Sequence, residues 1–358
     1  MKLLQIGKSK NLSENIHRSK EKITNFIKSL FPIDDKIGWM PFCYSKAKKI
    51  IKKNHIQIIF VSIGGVHHQA ITAYFLAKKF DIPLILEFRD LWADHPFIER
   101  SYFGKLINNY WEKKVIDYAT RIISLAPKQR EFLKKKYNIY DNKIEYISNG
   151  YDEDYFNRKF PQKKEKGTLI LTFCGGFYKN LTPSDLFNSL LRIKENRLKI
   201  IIRFIGNFRN QFFQLKKQYE SKSFLDNISI EVIPRISYIQ LLEKLHLSDV
   251  LMLFLPKDNK YDLILHAKLF DYMAIRKPII AFCPKNSDVE NIVNEGNLGF
   301  IVEAGNVDMG TKKIEEIIRL FKQNKLKEIC GSDKFISQFT QRKATEKLVK
   351  VLNSVVKK

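Results

Sequence analysis

The chain has 358 residues, 44% of them hydrophobic, which is enough for a sizeable core in about two domains. Its formal net charge of +25 points to anionic partners such as nucleic acid, an anionic membrane surface or anionic substrates. No apolar run approaches the roughly 20 residues that span a bilayer, and MKLLQIGKSKN turns polar too soon for a secretory signal, so cytoplasmic residence is expected. Nucleic acid is the weaker candidate partner and is not expected, because no Cys/His finger, arginine-rich tract or RNP-like aromatic motif accompanies the charge. Cys43, Cys174, Cys283 and Cys330 are widely spaced, form no metal pattern and read as buried free thiols.

In chain order, short apolar runs alternate with amphipathic stretches. Only the weak candidate KLLQIG precedes the first clear strand, IQIIFVSI at 56–63. The helical pattern HQAITAYFLAKKF follows, then strands PLILEF (83–88), RIISLA (121–126) and KIEYIS (143–148). A second set comprises TLILTFC (168–174), KIIIRFIG (199–206), ISIEVIP (228–234), DVLMLFL (249–255), KPIIAF (277–282) and GFIVEA (299–304). Helical patterns PSDLFNSLLRIKEN and YIQLLEKLHL lie among them. Near-continuous apolar runs are what strands buried on both faces require. Their alternation with helices predicts parallel sheets in an α/β fold. The polar stretch NRKFPQKKEKG (157–167) reads as a linker between a domain over 1–156 and a second over 168–340, with a terminal helix within 341–358. About 55 residues precede the first clear strand, so the first sheet is short by roughly two strand–helix units. Either the domain is a compact variant or the reading frame is shortened.

The residues that could carry chemistry cluster after strands, where open α/β sheets bind ligands. Gly64 and Gly65 close the first strand, and His67 and His68 begin the next helix. Glu87, Arg89, Asp90, Asp94 and His95 crowd the end of the second strand, either as a site or as an Arg–Asp pair that staples a loop. In YISNGYDEDYF (146–156), Asn149 and Gly150 suit a tight turn. Gly175 and Gly176 follow TLILTFC, with Lys179 close behind. FIGN (204–207) and IPRIS (233–237) close two further strands, the latter with Arg235 and Ile236. In LILHAKLFDYMAIRKPIIAF (263–282), His266 and Lys268 lead into a helix that carries Asp271. A helix N-terminus offers unpaired N–H groups and positive potential, which suit a diphosphate.

From about Asp34 onward these landmarks resemble, in order, those of family 4 glycosyltransferases, which have the GT-B fold. The last motif is similar to their Lys-x-x-Glu-Tyr element followed by a Lys-Pro strand. Asn149-Gly150 resembles the NG(V/Y)D that ends their first domain, and RDLW from Arg89 resembles the RDxW of a subset. The resemblance implies two Rossmann-like domains facing across a cleft, with the terminal helix packed back on the first. It implies transfer of a sugar from a nucleoside-diphosphate sugar to a hydroxyl of a surface-polysaccharide or lipid-linked glycan acceptor, with retention. It assigns Arg89, Asp90 and Asp271 to catalysis, Gly175, Gly176, Lys179, Arg235, Ile236, His266 and Lys268 to the donor, and Gly65, His67 and His68 to the acceptor side.

The departures from the family pattern are specific. Arg89 stands nearest the position where retaining relatives hold a His. Of the family's two glutamates, which have seven residues between them, the second aligns with Asp271 and the first falls on Leu263, one position from Asp262. No Arg matching the family's follows Lys179, leaving Lys268 to supply the missing charge. With no clustered DxD carboxylates in a suitable loop, neither a metal nor any cofactor beyond the donor is expected. The basic surface suits a peripheral position on an anionic inner leaflet. Two other readings stay open: a GT-B nucleotide-sugar epimerase, or a shortened, non-catalytic binding protein.

Overall fold

The computed structural model describes residues 33–158, 160, 167–177, 181–193, 198–208, 210–220 and 227–356. Lys179, KLLQIG and most of the expected linker lie outside the described residues. The described residues form two units, one of 33–125, 129–146 and 350–356, the other of 126–128 and 147–349. No helix among the described residues is long and apolar enough to cross a membrane.

The first unit opens with α1 (Met40–Lys53), followed by β1 (Ile59–Ile63), α2 (His68–Phe80), β2 (Leu84–Phe88), α3 (Tyr102–Tyr118), β3 (Arg121–Ser124), α4 (Pro127–Tyr137) and β4 (Ile144–Tyr146). Its four strands are all parallel and pair in chain order, β1-β2-β3-β4. Parallel crossovers are right-handed, so a sheet that always grows in one direction carries its connecting helices on one face. Ile63, Leu84, Ile85, Leu86 and Phe88 are fully buried in this sheet. Tyr74 of α2 meets Trp111 and Tyr118 of α3 edge-on, locking the two helices together.

The second unit contains β5 (Thr168–Cys174), β6 (Lys199–Ile205), β7 (Ile228–Ile233), β8 (Val250–Phe254), β9 (Ile279–Cys283) and β10 (Gly299–Glu303). Between them run α5 (Glu153–Phe156) ahead of β5, α6 (Ser184–Leu190), α7 (Asn210–Glu220), α8 (Tyr238–His246), α9 (Lys268–Ile275) and α10 (Asp288–Glu295), followed by α11 (Val307–Lys322), α12 (Asp333–Ile336) and α13 (Gln341–Asn353). The parallel sheet has the order β10-β9-β8-β5-β6-β7. Strand alternation divides the core in two. Val250, Met252 and Phe254 join the cluster under α6, α7 and α11, while Leu251 and Leu253 join the cluster under α8, α9 and α10. Both faces are therefore apolar, which explains the near-continuous hydrophobic runs.

All ten expected strands are present. The order reverses between β5 and β8, making a crevice at the carboxyl ends of these strands, the general position of ligands in open α/β sheets. Some details differ from the sequence expectation, among them several strand ends. β1 begins at Ile59 rather than at 56, because its pairing with β2 starts at Ile59 opposite Leu84. Cys174 and Cys283 are buried, but Cys43 is exposed on α1 and Cys330 only half-buried, because no core covers those positions.

Candidate functional site

The end of β5 lies at the reversal of the second sheet. Gly175 has a φ of +121°, a conformation closed to most side chains. A Cβ there would lie 2.8 Å from Lys268 Nζ, so the glycine is what admits the lysine. Its neighbour in space, Gly206 at the end of β6, has a φ of +147°, and a Cβ there would come within 2.0 Å of the Gly175 carbonyl oxygen. The two loops touch backbone to backbone.

Lys268 begins α9. Its ammonium donates to the Cys174 carbonyl at 2.9 Å and lies 4.2 Å from the Phe173 ring centroid. Burial lowers its pKa. One turn on, Tyr272 is fully buried; its hydroxyl accepts from the Cys174 N–H at 3.0 Å and donates to Cys174 Sγ at 3.4 Å. Residues 268 and 272 share a helix face by the i, i+4 rule, so one face of α9 fixes the glycine loop twice. Asp271, half-buried, accepts from Tyr238 Oη at 2.8 Å. Burial raises the Asp271 pKa, and the Tyr238 hydrogen bond opposes that rise. His266 lies just before the helix, and burial, with Lys268 adding to it, pushes it down to about 4. No side chain caps the α9 N-terminus.

Arg235 is exposed after β7, and Ile236 packs against the α8–α9 core. The adjacent Ser237 starts α8 through a reciprocal capping box with Gln240. Gly175, Lys268 and Asp271 thus share one sheet edge with His266, whereas Arg235 and Ile236 lie on the neighbouring loop. Sequence reasoning missed Tyr238, and it placed Tyr272 and Gly206 inside motifs without giving either a role. The i, i+4 spacing of Tyr272 from Lys268 was a usable signal for its role; the tie between Tyr238 and Asp271 spans 33 residues and leaves no local trace. Gly150 also has a packing reason: a Cβ there would meet the backbone of Phe339 and Thr340 at 2.7 Å.

The first unit has its own loop cluster. Arg89 is exposed and Asp90 half-buried, and both N–H groups donate to the Ile63 carbonyl, beside Gly64. Gly65 is exposed with a φ of +73°. Three further ties hold this loop. Trp92 Nε1 donates to Asn108 at 2.7 Å, Ala93 N–H to buried Glu112 at 3.2 Å, and Lys136 Nζ to Asp94 at 2.5 Å. His67 is wholly buried, stacks on Trp92 at 5.4 Å and has neither ring nitrogen hydrogen-bonded among the described residues. Burial pushes its pKa down to about 3. His68 pairs with Asp34 at 3.0 Å, and Asp34 also accepts from the His67 and His68 N–H groups at 2.8 Å, capping α2 with a carboxylate. Asp34 gave no sequence signal. Among the described residues no His, Cys, Asp or Glu group could hold a metal ion.

Residues 9–155 match the model of Glycosyltransferase Family 4. No curated protein matches the chain. By structure it is similar to sucrose-phosphate synthase from Thermosynechococcus elongatus, with TM-score 0.67 and 13% identity over 90% of this chain and 79% of that one. It is similar to a glycosyltransferase from Rickettsia africae, with TM-score 0.62 and 17% identity over 89% and 82%. It is also similar to Anabaena HepE in complex with UDP, with TM-score 0.61 and 13% identity over 86% and 81%. A second HepE structure contains UDP-glucose, at TM-score 0.58 and 12% identity over 86% and 81%. At these identities the likeness gives the fold, which is GT-B.

Proposed function

We propose that this chain, which carries a glycosyltransferase family 4 domain in a GT-B fold, moves a sugar from a nucleoside-diphosphate sugar to a hydroxyl acceptor. The observation that carries the reading is Lys268 beside Gly175 at the sheet reversal, with the uncapped N-terminus of α9 next to it. The departing diphosphate gains charge as the glycosidic bond to the sugar breaks. An ammonium and helix N–H groups fixed in advance stabilise that charge without reorganising. Asp271, held by Tyr238, is suited to accept hydrogen bonds from donor-sugar hydroxyls.

The acceptor in this reading is a surface polysaccharide or lipid-linked glycan near Arg89 and Asp90, the reaction retains configuration, and no metal takes part. The excess of basic residues favours an acceptor held at an anionic leaflet. The UDP and UDP-glucose in the HepE structures make uridine donors the first to try.

The test is a thermal-shift series with UDP, GDP, ADP, CMP and their common sugars, followed by product analysis with the sugar that stabilises. Saturable stabilisation by one diphosphate, abolished in Lys268→Ala, is expected. A cooperative melt that no nucleotide shifts would sink the reading. Release of an altered free sugar without an acceptor would mean epimerisation instead.

A further inference from the structure

We propose that Arg100 and His67 form a binding site for a phosphate group at the carboxyl edge of the first sheet. The inference rests on the transferase reading above only for what carries the phosphate, which that reading makes a group of the acceptor.

Arg100 stands where the fold opposes its charge. It ends the loop after β2 and immediately precedes Ser101, which caps α3 by accepting from the Gly104 N–H at 3.1 Å. A helix N-terminus is the positive end of the macrodipole, so a cation there is disfavoured and an anion favoured. α3 runs for 17 residues and has no acidic residue in its first turn to offset that potential. Arg100 is also half-buried, and its Nη1 is buried without a hydrogen-bond partner among the described residues. Burial lowers its pKa, and the carboxylates of Glu112, Asp94 and Asp34 oppose that fall. All three are committed to other donors. Glu112 accepts from Lys136, Tyr137 and the Ala93 N–H, and Asp94 accepts from Lys136. Asp34 pairs with His68 and accepts from the His67 and His68 N–H groups. The guanidinium is therefore a cation at a positive helix end with no acceptor of its own.

His67 is the second orphaned group. Its ring is wholly buried against Trp92, and neither nitrogen has a partner among the described residues. Of the charged groups that act on it, Arg100 acts most strongly, which puts the two in one neighbourhood. The ring is neutral near pH 7, so one nitrogen carries an N–H that can donate. Trp92, Ala93 and Asp94 are each tied to α3 or α4, so the ring that stacks on Trp92 is held in advance. A water molecule could pair these nitrogens but would leave the charge at the helix end uncompensated. An oxyanion does both. The guanidinium fork matches phosphate, whose three free oxygens in an ester can serve both donors. Arg100 stands outside every motif that carries the family resemblance.

The experiment is calorimetric titration of the full chain carrying Lys268→Ala, which silences the donor site, with inorganic phosphate, phenyl phosphate and glycerophosphate at fixed ionic strength. Saturable binding by at least one is expected, weakened at least about tenfold by Arg100→Gln and several-fold by His67→Phe, which keeps the stack on Trp92. Arg100→Gln removes a cation without a partner, so its melting temperature should not fall and lost binding cannot be read as lost folding. Saturation by inorganic phosphate as tight as by the esters makes the occupant a free ion; tighter saturation by an ester makes it a group of the acceptor. No saturable binding, or binding that Arg100→Gln leaves unchanged, would overturn the proposal. Nucleotide stabilisation of the parent chain is measured apart. A chain that binds phosphate through Arg100 but no nucleotide would lose the transferase reading and keep this site.

Discussion

In the proposed donor site, Lys268 is the residue on which binding turns. Its ammonium is tied to a backbone carbonyl and to an aromatic face, so among the described residues its position depends on neighbours that offer partial negative charge but no ion pair. Lys268→Ala is expected to cost about 2–4 kcal/mol of diphosphate affinity, the range for removing a preorganised charge partner, with little change in melting temperature; calorimetric titration with the stabilising nucleotide checks it. Gly175→Ala should act on the same atom from the other side. The added methyl would meet Lys268 Nζ at 2.8 Å in a backbone conformation that alanine adopts only under strain. We expect it to weaken donor binding as much as Lys268→Ala while also lowering the melting temperature. A variant that melted as the parent does and bound donor equally well would show that the lysine and glycine are neighbours without a shared role.

Among the elements, the joint between β5 and α9 carries the prediction best separated from simple loss of charge. Tyr272 accepts the Cys174 N–H in the core, and removing its hydroxyl leaves that donor unpaired. Tyr272→Phe should therefore destabilise by about 1–3 kcal/mol and loosen the loop that Lys268 holds, weakening donor binding several-fold; urea melts and titration read the two effects apart. Unchanged donor affinity in a destabilised variant would reduce Tyr272 to a packing residue. The contrast in legibility is physical. β5 and β8 could be read from sequence because a strand buried on both faces must be apolar throughout, and HQAITAYFLAKKF because its periodicity is local. Gly175 and Lys268 drew attention through motif position, and the fold brings them together. The ties Tyr272–Cys174, Tyr238–Asp271 and Asp34–His68 were not, since each joins residues far apart in the chain and a single hydroxyl or carboxylate leaves no period to detect.

For the whole molecule, two independent sources of acid sensitivity add, and salt separates them. A chain of net charge +25 repels itself more as its carboxylates are neutralised, and added salt screens that repulsion. His67 and His266 act differently. Burial depresses them to about 3 and about 4 in the folded chain, whereas in the unfolded chain they titrate near the ordinary 6.5. Between those values the unfolded state binds more protons than the folded one, so stability rises with pH there and is lost on acidification. That loss stems from desolvation inside the fold, which salt does not reach. We therefore expect melting temperatures to fall from pH 7.5 to pH 5, with raised salt restoring only part of the loss. His67→Phe should restore much of the remainder, because the ring can still stack on Trp92 while the two unpaired nitrogens and their protonation penalty disappear. It should also raise stability at neutral pH by about 1–2 kcal/mol. Melts of parent and variant at both pH values and both salt concentrations decide the matter. If salt alone abolishes the acid loss, net charge is its whole cause; if His67→Phe steepens it, His67 has a hydrogen-bonding or charged role that its burial conceals.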